Sequence, residues 1–422
     1  MKTAFLDPDS LRTWGRVDPF RNVLFLVLDL VTAGAILTVA IFFFESREEL
    51  GLHWLWNIPV GLIMIILLGA AQHRIALMGH EASHHLLHPN RKWNDLLSEV
   101  ACFSPIFGLF SQYRARHLSH HLYTNDPERD SNLSGSRAEK LYAKFPMEKG
   151  AFVYQYYLKF FWPPTVLSIF FDLLRVTTID AGFSPIPSRR SDQSVSQNRR
   201  PILRNTTIYG VIYFLALILL LDTARSSGFG FLLGAAPAAW IAGVMIWKMM
   251  PESWFYDPGG KLAYSPKVSG IIRLTFYTLL FVSINVAEIL TGIWIGRYIA
   301  LLWFVPLVYV FPYLMLLREI FQHANADEGE ITNSRVIHVD PLTRWALFGY
   351  GNDVHIVHHI YPNIPHYHLA DVHREMCEKS EVYRDTVEEA FGMIGTDRQS
   401  NSAVEALALA KEDRVEQDES TP

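Results

Sequence analysis

The chain has 422 residues, of which half are apolar and 13% aromatic, with a formal charge of -5 and a positive mean hydropathy. That is too apolar for two ordinary soluble domains and predicts a polytopic membrane protein with sizeable polar parts. Two cysteines, Cys102 and Cys377, exclude a disulfide framework and a cysteine-rich metal site, and nothing in the charge pattern points to nucleic acid, so any metal is expected to have nitrogen and oxygen donors.

Residues 1–21 are polar, carry Lys2, Arg12, Arg16 and Arg21, lack a convincing cleavage site, and are read as a retained cytoplasmic segment. Residues 23–44 are almost unbroken apolar sequence, enough to cross roughly 30 Å of hydrocarbon. Asp29 inside this span is read as snorkelling near its end. A second span, 54–78, opens on Trp54 and Trp56 and is interrupted by Gln72-His73-Arg74. Residues 96–110 are apolar but short and contain Pro105, so they are expected to be re-entrant or interfacial. Residues 151–174, with Lys159 and Pro163-Pro164, read as a helix pair on the membrane surface. The arginines of loop 186–205 (Arg189, Arg190, Arg199, Arg200 and Arg204) assign that loop to the cytoplasm.

Four more apolar segments follow, at 208–221, 229–249, 271–293 and 298–317, the first short enough that its pair could be a shallow hairpin. Either way the chain returns to its starting side at Arg318. The expected fold is all-α and polytopic, with about six spans or four plus that hairpin. Residues 22–375 form its membrane domain, 376–395 a helical extension, and 396–422 a disordered acidic tail.

Histidines cluster where this topology puts chain on one membrane side. His80 and His84 are four apart, and two H-x-x-H-H groups follow, His117, His120, His121 and His355, His358, His359. Residues four apart share a helical face, and the adjacent third histidine of each later group can reach a second ion. One metal takes four to six donors, so eight converging imidazoles imply two metals. His323, just after the last span, is a ninth candidate. His85 stays open as a ligand, while His88, His366, His368 and His373 are read as surface or hydrogen-bonded histidines.

The three groups resemble the histidine boxes of the membrane fatty acid desaturase and hydroxylase superfamily. The flanks are similar too: Arg116 before the second box, Thr124-Asn125-Asp126-Pro127 after it, and Tyr361-Pro362-Asn363-Ile364-Pro365 after the third. The resemblance implies two non-haem iron ions on the cytoplasmic face, His323 as a further ligand, O2 as co-substrate, a lipid or acyl substrate, and desaturation as the reaction. Gln322 stands where relatives often carry Glu, with Glu319 a turn earlier. Glu81, Asp126, Glu319 and Asn352 are candidates to hold the imidazoles in orientation.

The chemistry agrees with such a centre, because an unactivated alkyl C–H bond is beyond acid–base or nucleophilic groups and calls for a metal with oxygen. Two electrons per turnover must come from outside. Asp257-Pro-Gly-Gly260 has Asp where a fused cytochrome b5 domain would have its haem-binding His, so the expected donor is a separate ferredoxin or cytochrome b5-type protein. A lipid hydroxylase or ketolase would share the same boxes. His80-Glu81-x-x-His84 also matches the H-E-x-x-H of zinc metalloproteases, with Glu81 as general base, but that reading leaves most of the six later histidines unused. A metal transporter would place its site near the midplane of the spans, away from these clusters.

Overall fold

The computed structural model describes residues 5–133, 145–174, 200–255, 261–394 and 401–408. Arg189, Arg190, Arg199, the Asp257–Gly260 stretch and residues 409–422 lie outside them. Among the described residues, six helical segments are long and apolar enough to cross a membrane: Arg21–Ser46, Trp54–Ser83, Asn205–Ser227, Phe229–Met249, Pro266–Thr291 and Ile295–His323. The architecture is that of an all-α polytopic membrane protein. The third segment has 23 residues, long enough to span, where the sequence left a shallow hairpin open.

A short helix α1 (Pro8–Trp14), N-capped by Asp7, precedes the first span α2 (Arg21–Ser46). Helix α3 (Asn57–Ser83) returns antiparallel to α2. The buried residues of α2 are Asn22, Leu26, Asp29, Ala33 and Ala40, a single stripe at helical spacing. Asp29 does not snorkel. It is buried and accepts from Arg74 Nε of α3 at 2.8 Å and from the Tyr350 hydroxyl, while Arg74 Nη2 donates to Tyr350 at 2.9 Å. Two polar interruptions in neighbouring spans thus neutralise each other at the same depth. Removing either partner would strand a buried charge.

Helix α4 (Arg91–Leu97) continues into a π turn, Ser98–Phe103, and a 3-10 turn, Ser104–Ile106, before Phe107 reverses the chain with φ 60°. This irregular backbone is tied to protein on several sides. Its Ser104 carbonyl accepts from Tyr277, the Pro105 carbonyl from Trp303, and the Gly108 carbonyl from Arg273. At membrane depth, non-helical backbone is tolerated only where protein or water satisfies it. Gly79 lets α3 lie against this turn, since a Cβ there would fall 2.5 Å from the Phe103 ring. The turn then delivers helix α5 (Phe110–Leu122) beneath the end of α3.

Helices α6 (Arg200–Ser227), α7 (Phe229–Met249) and α8 (Pro266–Thr291) form a second bundle, packed around Tyr213, Leu217, Val244, Trp247, Leu274 and Tyr277. The last span ends in α9 (Val310–His323), which packs closely on α3: a Cβ at Gly69 would lie 2.3 Å from Val310.

The polar region beyond α9 holds strand β1 (Val336–His338), α10 (His355–Ile360), α11 (Leu369–Lys379), strand β2 (Glu389–Phe391) and α12 (Ala403–Ala408). The strands pair in parallel, Val336 opposite Glu389. The sequence differs from this in two places. The 376–395 extension is not wholly helical, because β2 pairs with β1. Within the acidic tail, residues 403–408 are ordered: Ala403, Val404 and Leu407 bury themselves in the cluster of Ile320 and Phe321, and Met147 N donates to Leu407 O at 3.0 Å. An Ala/Val/Leu stripe inside an acidic tract is enough to dock it.

Candidate metal centre

Four helices bring nine histidines together. His80 lies in the last turn of α3, and His84 caps it. His117, His120 and His121 lie on α5, His323 ends α9, and His355, His358 and His359 lie on α10. Six of the nine are 1–5% exposed: His80, His120, His323, His355, His358 and His359.

Their ring nitrogens fall into two groups, His80, His84, His117, His121 and His358 in one, and His120, His323, His355 and His359 in the other, the atoms of each lying within 4.8 Å of one another. Helix periodicity explains the sorting. On α5 the i,i+4 pair His117 and His121 serves the first group, and His120, one residue and 100° away, serves the second. On α10 the roles exchange, with His355 and His359 in the second group and His358 in the first. The groups abut, as the His121 and His359 rings stack 4.3 Å apart.

Within the groups, Nε2 atoms approach each other directly: His84 to His117 at 2.7 Å, His117 to His121 at 3.0 Å, His121 to His358 at 3.1 Å, His120 to His323 at 3.3 Å, and His355 to His359 at 3.1 Å. Burial pushes His84 down to about 3, and His117, His121, His355, His358 and His359 well below the ordinary imidazole range. Where both Nε2 atoms carry lone pairs, they repel at such distances. A cation between them removes the repulsion without protonating a buried group. Both ring nitrogens of His80 are buried without a hydrogen-bond partner. Nine imidazole donors with no carboxylate in either group suit first-row divalent metals, so the donor set fits two such ions.

Behind the rings, hydrogen bonds fix the second group. His120 Nδ1 donates to Asp130, 2.9 Å from both oxygens, and Asp130 is held by Asn125 N and Asn132 N at 2.8 Å each. Burial pulls the His120 pKa down, but the Asp130 carboxylate outweighs it and raises the balance. His323 Nδ1 donates to Asn333 O at 3.0 Å. His359 Nδ1 lies 3.2 Å from Thr124 Oγ1, whose own hydrogen goes to His120 O, so the imidazole is the donor. Each of these contacts puts the proton on Nδ1 and leaves the Nε2 lone pair facing inward.

Not every residue singled out in the sequence plays its expected part. Asp126 accepts from Arg129 and from the Glu128 and Arg129 backbone, building the turn while Asp130 reaches His120. Glu81 Oε2 accepts His366 N at 3.1 Å, and its other oxygen stands 3.6 Å from His80 Nδ1, beyond hydrogen-bond distance. Asn352 touches no imidazole through its hydrogen bonds: its side chain donates to Gly349 O, and its carbonyl accepts Gln322 Nε2 at 2.6 Å, tying the end of α9 to the approach of α10. Glu319 Oε1 accepts from Asn132, while its Oε2 is buried without a partner. His85 belongs to neither group. It has φ 64° and stands between Arg114 and Arg91. Asp130, Thr124 and Asn333 are the supporting residues that sequence reasoning missed, and the one available hint was a second aspartate in the loop after the second box.

The family profile described as "Fatty acid desaturase" matches residues 54–265 and 224–388. The chain is also similar to Dihydrorhizobitoxine desaturase of Bradyrhizobium elkanii, 33% identical over 98 residues that make up 23% of this chain and 27% of that protein. It is 29% identical to Omega-3 fatty acid desaturase fat-1 of Caenorhabditis elegans over 115 residues, 27% of this chain and 25% of that protein. The chain thus aligns with about a quarter of the length of these curated relatives.

Proposed function

Because the chain belongs to the fatty acid desaturase family, we propose that it is a membrane-bound, O2-dependent, two-iron oxidoreductase that introduces a double bond into a fatty acyl or related lipid chain. The observation that carries this reading is the sorting of nine histidines into two abutting groups, where two membrane-length helices end against the short helices α5 and α10. His80, His84, His117, His121 and His358 would hold one iron, and His120, His323, His355 and His359 the other. Bound there, the metals supply the dioxygen chemistry that an unactivated C–H bond requires.

The chain's own residues do the positioning. Asp130, Asn333 O and Thr124 keep three imidazoles in the tautomer that binds metal through Nε2, and burial keeps bulk water away. The centre and both termini are assigned to the cytoplasmic side, where a separate ferredoxin or cytochrome b5-type donor would deliver electrons. Hydroxylation or ketone formation on the same scaffold differs only in product. The zinc protease reading is disfavoured because His80 and His84 are two of five convergent imidazoles and Glu81 is engaged by the His366 amide.

Expression in a host of known lipid composition, with mass spectrometry of its acyl chains, tests this. A product two hydrogens lighter than a host acyl chain is expected. A product one oxygen heavier assigns hydroxylation instead, and unchanged lipids with an active electron donor present would overturn the reading.

A further inference from the structure

Among the described residues, one group of metal-binding side chains lies outside the nine-histidine centre. His373 and Cys377 are four apart on α11 and share a face, which β2 approaches with Glu389. His373 Nε2 is 3.3 Å from Glu389 Oε1 and 3.9 Å from Cys377 Sγ, and the three donor atoms all lie within 4.8 Å of one another. His338, at the end of β1, places its Nε2 2.6 Å from the other Glu389 oxygen. We propose that His373, Cys377 and Glu389 form a separate site for a single divalent cation of the zinc type, with His338 hydrogen-bonded to the second Glu389 oxygen and fixing that carboxylate.

Three observations carry the assignment. The spacing is right, because donors 2.0–2.3 Å from a tetrahedral zinc lie roughly 3.3–3.8 Å apart, close to the separations found here. The donor set is right, because a mixed nitrogen, sulfur and carboxylate group suits zinc, and one thiol is enough when the fold supplies the rest. The second ring nitrogen of His373 is engaged as well: Nδ1 lies 2.9 Å from the hydroxyl of buried Tyr383, the outer contact that orients a metal-binding imidazole.

The site also has a structural use. Strands β1 and β2 have three residues each, and a two-stranded sheet of that size is marginal by itself. A cation bound by α11 and β2 would clamp this sheet to the helix that follows the third histidine box. The assignment does not depend on what the nine-histidine centre does, and it departs from the sequence expectation that sulfur would take no part in metal binding.

The test uses the full-length protein in detergent. Metal analysis is expected to find zinc, or a site that takes it up, at one per chain beyond the nine-histidine centre. Cobalt(II) in its place should give a sulfur-to-cobalt charge-transfer band. Cys377→Ser should abolish the band and that zinc while iron content and lipid turnover stay unchanged, and Glu389→Gln should weaken zinc binding by roughly tenfold or more, since losing a direct donor costs at least as much as losing a supporting one. Thiol labelling of the wild type gives the same answer without a substitution, because Cys102 is fully buried and Cys377 is not: zinc should slow labelling about tenfold or more, and a chelator should restore it. No cobalt–sulfur band in the wild type, equal zinc in wild type and Cys377→Ser, or a labelling rate indifferent to zinc would each overturn the proposal.

Discussion

The two halves of the histidine centre are built differently. In the four-histidine group, three rings are fixed from behind by Asp130, Asn333 O and Thr124. In the five-histidine group both nitrogens of His80 and the Nδ1 atoms of His121 and His358 are buried without partners, and the rings are held by packing, with Tyr113 stacked on His117 at 5.6 Å and 10°. One half gains its orientation from hydrogen bonds, the other from helix geometry and numbers of donors. A site with one donor more needs less help from each.

The largest effect is expected where this difference should not matter. His120→Ala and His358→Ala each remove a ligand of one group, and both should abolish turnover and lower the iron content. His373→Ala, outside both groups, should leave iron and turnover intact. Equal loss in all three would break the ligand assignment. A smaller, one-sided effect is expected from Asp130→Asn, which keeps the shape but loses the charge behind His120: iron affinity at one of two sites, read by chelator competition, should fall roughly 10–100-fold. Asp126→Asn, which keeps an acceptor oxygen for the turn but removes no group from His120, should have the smaller effect, and the reverse order would mean that the wrong aspartate supports the centre. Tyr113→Ala should loosen the five-histidine site alone by up to roughly tenfold, in line with about 0.5–1.5 kcal/mol for an aromatic pair, and Tyr113→Phe should restore it. If Phe fails to restore it, the hydroxyl rather than the ring matters and the packing half of the comparison falls.

Much of this centre was legible in the sequence because its logic is local. The i,i+4 spacings determine which histidines share a face, and that alone separates His120 from His117 and His121, and His358 from His355 and His359. The supporting layer was not legible, because it depends on how the loop 123–133 closes: Asp126 and Asp130 are chemically identical, and only the turn made by Asp126 with Arg129 carries Asp130 under His120. The same holds for Asp29. Its position near a span end suggested snorkelling, whereas the interruption at Arg74 in the next span was the partner at matching depth, a relation visible only once the two helices are paired. The helix at 403–408 escaped notice because acidic composition around it masked a short apolar stripe that needs the α9 surface to dock on.

The most direct test of the central claim is the metal content per chain of the protein purified without added chelator, with Mössbauer spectroscopy on iron-57 material. Two irons per chain in two distinct nitrogen-rich environments are predicted, in keeping with groups of five and four imidazoles. Zinc without iron, or iron confined to one environment at half that stoichiometry, would contradict it.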